Sequence, residues 1–71
     1  MKPQKAIEER LRIGAEIKAL REKKGLSLRD LEAITGLSFS HLGRIEKGRY
    51  STGIDIIAMV ADALGAKMKI E

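Results

Sequence analysis

The chain has 71 residues, no cysteine, one histidine and a formal net charge of +4. That length holds one domain, and a domain this small buries only about 60% of the surface that its unfolded chain exposes. The lack of cysteine excludes disulfide frameworks and thiolate metal sites, the apolar runs are too short to span a bilayer, and the excess of Lys and Arg suits a polyanionic partner.

From Lys5 to Lys24, apolar residues recur at Ile7, Leu11, Ile17 and Leu20, with Gly14 standing in the stripe. This spacing predicts a helix with one buried face. Gly14 costs such a helix about 1 kcal/mol against Ala, so the turns before it read as a fraying stretch or a separate arm, and residues 1–5 as a flexible start. No apolar segment follows Met1-Lys2-Pro3-Gln4, so no signal peptide is expected. Glu8 and Arg12 have the spacing of an exposed i,i+4 pair. Gly25 after Lys23 and Lys24 is a C-terminal stop with the favourable charge for the helix dipole.

Ser27 reads as the N-cap of the next helix, with Asp30 as a short capping-box partner. That helix carries Leu28, Leu31, Ile34 and Thr35 and stops at Gly36. Ser38 caps a third helix, Phe39 to Lys47, with Leu42 and Ile45 facing inward and Gly48 closing it. After the polar loop from Arg49 to Gly53 comes the most apolar segment, Ile54, Ile56, Ile57, Met59, Val60, Ala61 and Leu64, expected to be the most buried helix; Gly65 ends it. Residues 66–71 alternate apolar and charged, which is the period of a strand. A lone strand is unstable, so this segment is either a loose tail or pairs with something.

Two short helices joined by Gly36-Leu37-Ser38 satisfy the spacing of a helix-turn-helix. Glycine permits a left-handed turn, Leu37 fills the gap between the helices, and Ser38 caps the second. The second helix then projects with Phe39, Ser40, Gly43 and Arg44 outermost, flanked by cations, a shape that suits the major groove.

The strings Leu20-Arg21-Glu22-Lys23-Lys24-Gly25-Leu26-Ser27, Thr35-Gly36-Leu37-Ser38, Arg44-Ile45-Glu46-Lys47-Gly48 and Ala63-Leu64-Gly65 resemble, in order and spacing, the Cro/Xre-like (phage repressor type) helix-turn-helix regulators. The resemblance covers roughly residues 13–65. It implies an all-α, compact bundle of four or five helices, of the lambda-repressor-like type, forming a single DNA-binding domain with core 13–65 and a strand-like tail at 66–71. It implies a homodimer on a twofold-symmetric operator in double-stranded DNA. The resemblance also implies an ion pair, Arg21 with Glu46, tying the first helix to the recognition helix. A repressor is expected because nothing in the chain looks like an activation or effector-binding domain, and a reducing cytoplasm fits the lack of cysteine.

Three positions depart from the family pattern. Leu28 stands where Gln commonly contacts phosphate, Glu32 where Ala is common at the close approach of the two helices, and Gly43 where Ser or Ala is usual. Base contacts are assigned to Phe39, Ser40, Gly43 and Arg44. For Arg44 the readings are a bidentate bond to guanine, worth about 1–3 kcal/mol of discrimination, or a phosphate contact. Phe39 either touches a thymine methyl or packs on its own domain. Phosphate contacts are assigned to Arg29, Ser38, His41, Lys47, Arg49, Tyr50 and Ser51, with packing on the last helix the other reading of Tyr50. The dimer contact is assigned to Leu64, Met68 and Ile70, because in some antitoxins a similar tail pairs with its twofold mate.

No metal site or cofactor is expected, and no nucleophile with a partner, carboxylate pair or phosphate loop points to an enzyme. Two rivals share the fold: an antitoxin-type regulator that also binds a toxin protein, and a protein-interaction module that lost DNA binding.

Overall fold

The structure, a computed structural model, describes residues 3–49 and 53–66. They form four helices: α1 (Pro3–Lys23), α2 (Leu28–Thr35), α3 (Phe39–Glu46) and α4 (Ile54–Ala63). Helix α1 begins two residues before the expected start, at a proline whose missing N–H costs nothing in a first turn. It runs unbroken through Gly14, with the turns before that glycine continuous with the rest of the helix. Met68 and Ile70, with the tail read as a strand, lie outside the described residues, as do Tyr50 and Ser51.

Ile17 of α1, Leu31 of α2, Leu42 and Ile45 of α3, and Val60 and Leu64 at the end of α4 make the core. Helix α3 packs against both α1 and α2, and α2 packs against α4. The segment from Ile54 is therefore not the most enclosed helix. Within α4 itself only Val60 is fully buried, and Ile54 and Met59 remain 62% and 39% exposed. Its packing comes mainly from one side, so a run of apolar residues longer than that side leaves some of them in solvent. The stripe on α1 is likewise covered only in part. Ile17 is buried and Leu20 partly so, but Ile7 and Leu11 are 42% and 50% exposed, because the core side chains gather around the C-terminal half of α1. On the outer side of α1, Arg12 bonds Glu9 at 2.9 Å and Glu16 at 3.1 Å, where spacing pointed to Glu8. Exposed pairs of this kind contribute little to stability.

Candidate nucleic-acid interface

The helix-turn-helix geometry is set by short-range bonds. The Ser27 hydroxyl accepts from the Asp30 N–H at 3.0 Å while the Asp30 carboxylate accepts from the Ser27 N–H at 2.8 Å, a complete capping box at the start of α2. The helix ends at Gly36, whose φ of 81° is the left-handed conformation that glycine adopts without a steric cost. Thr35 stitches the turn: its hydroxyl donates to the Leu31 carbonyl at 2.9 Å and accepts from the Leu37 N–H at 3.2 Å. Leu37 packs against the core, and the Ser38 hydroxyl caps α3 by accepting from the His41 N–H at 3.2 Å.

At the far end, α3 stops at Glu46, one position earlier than the end read from spacing, and Lys47 is the cap residue. Gly48 turns left-handed, its N–H donates to Ile45 at 3.0 Å, and the Arg49 N–H donates to Arg44 at 3.0 Å. This pairing is the Schellman motif. It fixes the backbone of Arg49 directly beside the last turn of α3.

Helix α3 is held from behind by α1. The Arg21 guanidinium donates to Glu46 from Nε at 2.6 Å and from the terminal nitrogen at 3.1 Å, and to the Leu26 carbonyl at 2.7 Å. Side-chain exposures of 11% and 5% leave this ion pair nearly dry. Hydrogen bonding to Glu46 raises the Arg21 pKa further above an already high value, so the guanidinium stays charged. Next to it Gly14 lets α1 meet the end of α3 at backbone distance. A Cβ on Gly14 would collide with the Ile45 carbonyl oxygen and lie 2.6 Å from that of Glu46.

With its inner face so anchored, α3 presents the outer one to solvent. Phe39, Ser40, Gly43, Arg44, Lys47 and Arg49, together with Leu28 of α2, line one open cleft of about 590 Å³. All four residues assigned to base contacts thus share one surface with two of the assigned phosphate contacts. Arg29 stands beside it, its guanidinium carbon 4.2 Å from the centre of the Phe39 ring. The distance is that of a cation–π contact. It gives Phe39 an intradomain partner, although 39% of the residue is still exposed.

The remaining assigned residues are placed differently. His41 is half-buried and its Nε2 is shielded from solvent, so that atom reaches no phosphate without a change of rotamer. The Ser38 hydroxyl already serves as the cap. Leu64, assigned to a dimer contact, is 1% exposed and belongs to this chain's own core, so its side chain has no surface left for a second copy. Glu32 is half-buried and does not line the cleft. Leu28 was read only as unable to bind phosphate; one turn before the buried Leu31 it packs partly on the core, and its place in the wall of a cleft between two helices was not legible from the register of α2 alone. Among the described residues, no group of three or more His, Asp or Glu is placed to hold a metal ion, and no helix is long and apolar enough to cross a membrane.

The helix-turn-helix family model matches residues 17–69. Two solved structures of the clp gene regulator ClgR from Corynebacterium glutamicum are similar, each 34% identical over 82% of this chain. Their TM-scores are 0.78 and 0.77, and the match spans 74% and 62% of those chains. No curated protein sequence matches.

Proposed function

Because the chain belongs to the helix-turn-helix family of Cro/Xre-like DNA-binding regulators, we propose that it is a repressor that binds a twofold-symmetric operator as a homodimer, reading bases with α3. The observation that carries this reading is the shared cleft: Phe39, Ser40, Gly43 and Arg44 lie on one exposed face, bordered by the cations Lys47 and Arg49. A helix of eight residues with such a face fits the major groove, and a row of cations beside it suits the phosphates that set register. Arg44 is the principal base reader. Lys47, Arg49 and Arg29 hold the backbone, helped by Tyr50 and Ser51, with Ser38 and His41 contributing through the start of α3. The ClgR structures are those of a regulator by name, which supports the same role for this chain. Its working location is with cytoplasmic DNA.

Two α3 helices about 34 Å apart would meet successive major grooves on one face of the duplex. The tail, with Met68 and Ile70, pairs the two copies, and Leu64 acts only indirectly by holding the end of α4. Selection from a randomised duplex pool at moderate salt tests this reading. Enrichment of an inverted repeat with half-sites about one helical turn apart is expected. Folded protein that enriches nothing would overturn it. A chain ending at Gly65 should dimerise more weakly; an unchanged dimer in sedimentation would remove the tail from the interface.

A second reading is favoured by uncovered apolar side chains. Ile34 and Ile54 are 56% and 62% exposed, more than the DNA-binding face needs, and they are available to a protein partner such as a toxin. Co-purification of a stoichiometric partner that buries these residues would support the antitoxin-type role.

A further inference from the structure

The cleft over α3 has an apolar wall, Leu28, to which no contact has been assigned. Leu28 puts an apolar side chain, which cannot bond phosphate, at the start of α2, and it lines the same cleft as Arg44 and Lys47. Gly43 faces it without a side chain. A Cβ there would find the Leu28 Cδ1 at 3.7 Å and nothing else within 4 Å, so the bare glycine leaves a notch whose wall is Leu28. Phe39 borders the same cleft, with its ring held by Arg29 at 4.2 Å.

We propose that the notch formed by Leu28, Phe39 and Gly43 takes the 5-methyl group of a thymine in the major groove, which makes Leu28 a specificity-determining residue; this rests on the operator-binding reading above. The rim and the wall select different features. Arg44, Lys47 and Arg49 favour a polyanion. Along the edges of the bases in that groove nearly every group is a hydrogen-bond donor or acceptor, and the thymine methyl is the apolar exception. Leu28 and Phe39 offer no partner to a cytosine amino group, so a C·G pair in that register would lose solvent around a donor and gain no bond. Cytosine carrying a 5-methyl group would recover part of the contact, because it presents the same apolar surface.

The experiment is a pair of parallel selections with the full chain, one from a randomised duplex pool made with thymidine and one from the same pool made with deoxyuridine, which lacks only the methyl. The thymidine pool is expected to yield an inverted repeat with a fixed T in each half-site, and the deoxyuridine pool a repeat degenerate at that position. Exchanging the T of one half-site for U in the selected duplex should weaken binding about fourfold, the worth of one buried methyl. In Gly43→Ala, shown to be folded by circular dichroism, the added methyl occupies the notch and the T-over-U preference should fall below twofold. The same repeat from both pools, with equal affinity for T and U at every position, overturns the notch and leaves the operator reading standing. A Gly43→Ala chain that keeps the full preference overturns it too. No repeat from either pool overturns both.

Discussion

Gly14 of α1 and Glu46 of α3 meet backbone to backbone: a methyl group on Gly14 would lie 2.6 Å from the Glu46 carbonyl oxygen and closer still to that of Ile45. Two forces act on Gly14→Ala in opposite directions. Alanine favours a helix interior by about 1 kcal/mol, but here it must push α1 off two carbonyls that have no side-chain freedom to yield. Overpacking of this kind costs about 1–3 kcal/mol or more. The collision wins, and Gly14→Ala should lower the urea midpoint. Gly43→Ala provides the contrast. Its new methyl meets only Leu28, at 3.7 Å, so the helix-propensity gain of up to about 1 kcal/mol is kept and the midpoint should rise. Two glycines in helices with opposite signs would locate the close approach; equal signs would contradict the geometry.

The Arg21–Glu46 pair sits about two turns further along α1, on the same contact with α3. Its near-complete burial means that either ion alone is left with little water, and Arg21 without Glu46 keeps only the neutral Leu26 carbonyl as a partner. Removing one member of such a pair typically costs about 3–5 kcal/mol. A domain of this length has about 4–10 kcal/mol of total stability, so Glu46→Ala should leave a marginally folded chain. Arg21→Met combined with Glu46→Leu should recover much of the loss, since apolar replacements of similar size need no ionic partner. Thermal denaturation of the two single variants and the double variant checks this. A double variant no more stable than the worse single one would show that the pair is needed for more than mutual neutralisation.

The turn chemistry was legible in the sequence because it is local. Ser27 with Asp30, Gly36, Ser38 and Gly48 each state their role within a few residues, and the four helices follow from them. The Arg21–Glu46 contact, 25 positions apart, was reachable only through family resemblance. Gly14 shows why periodicity alone falls short. Hydrophobic spacing counts a glycine as a gap, whereas its value here lies in the approach of another helix. Helix α4 fails in the opposite way. Its apolar run records composition, but burial depends on how many neighbours reach it, and Ile54 and Met59 remain 62% and 39% exposed. The outer face of α3 was legible from the inward positions of Leu42 and Ile45; the part Leu28 plays in it was not, because that cleft forms between two helices.

Asp30 gives the domain an acid-sensitive joint. Hydrogen bonding from the Ser27 backbone, and then from its hydroxyl, lowers the carboxyl pKa below the ordinary 3.8. A depressed folded-state value means that the unfolded chain takes up the proton first. The capping contribution is therefore complete above about pH 5, diminishes as pH falls past the ordinary value and is lost below the folded-state value. Asp30→Asn should be less stable than the parent near neutrality, with the difference shrinking in acid. Urea midpoints between pH 2.5 and 7 read this directly. A difference that stays constant across that range would mean the carboxylate has no charge-dependent share in the cap.

Arg44 and Arg49 flank the same cleft but differ in how they are mounted. Arg44 lies within α3, on the helix that would enter the groove, whereas Arg49 follows the left-handed Gly48 turn and hangs from the helix end. A side chain on the groove-facing helix can reach base edges, and one beyond its end meets the backbone. Arg44→Ala should therefore reduce the ratio of operator to random-duplex affinity by about 10-fold or more, the scale of a lost bidentate guanine contact. Arg49→Ala should weaken both duplexes alike and shallow the slope of log affinity against log salt by about one. Titrations of the two variants on both duplexes at several salt concentrations separate these effects. Equal losses on operator and random duplex for both variants would mean that Arg44 also holds phosphate, and base reading would then fall to Ser40 and the apolar notch beside it.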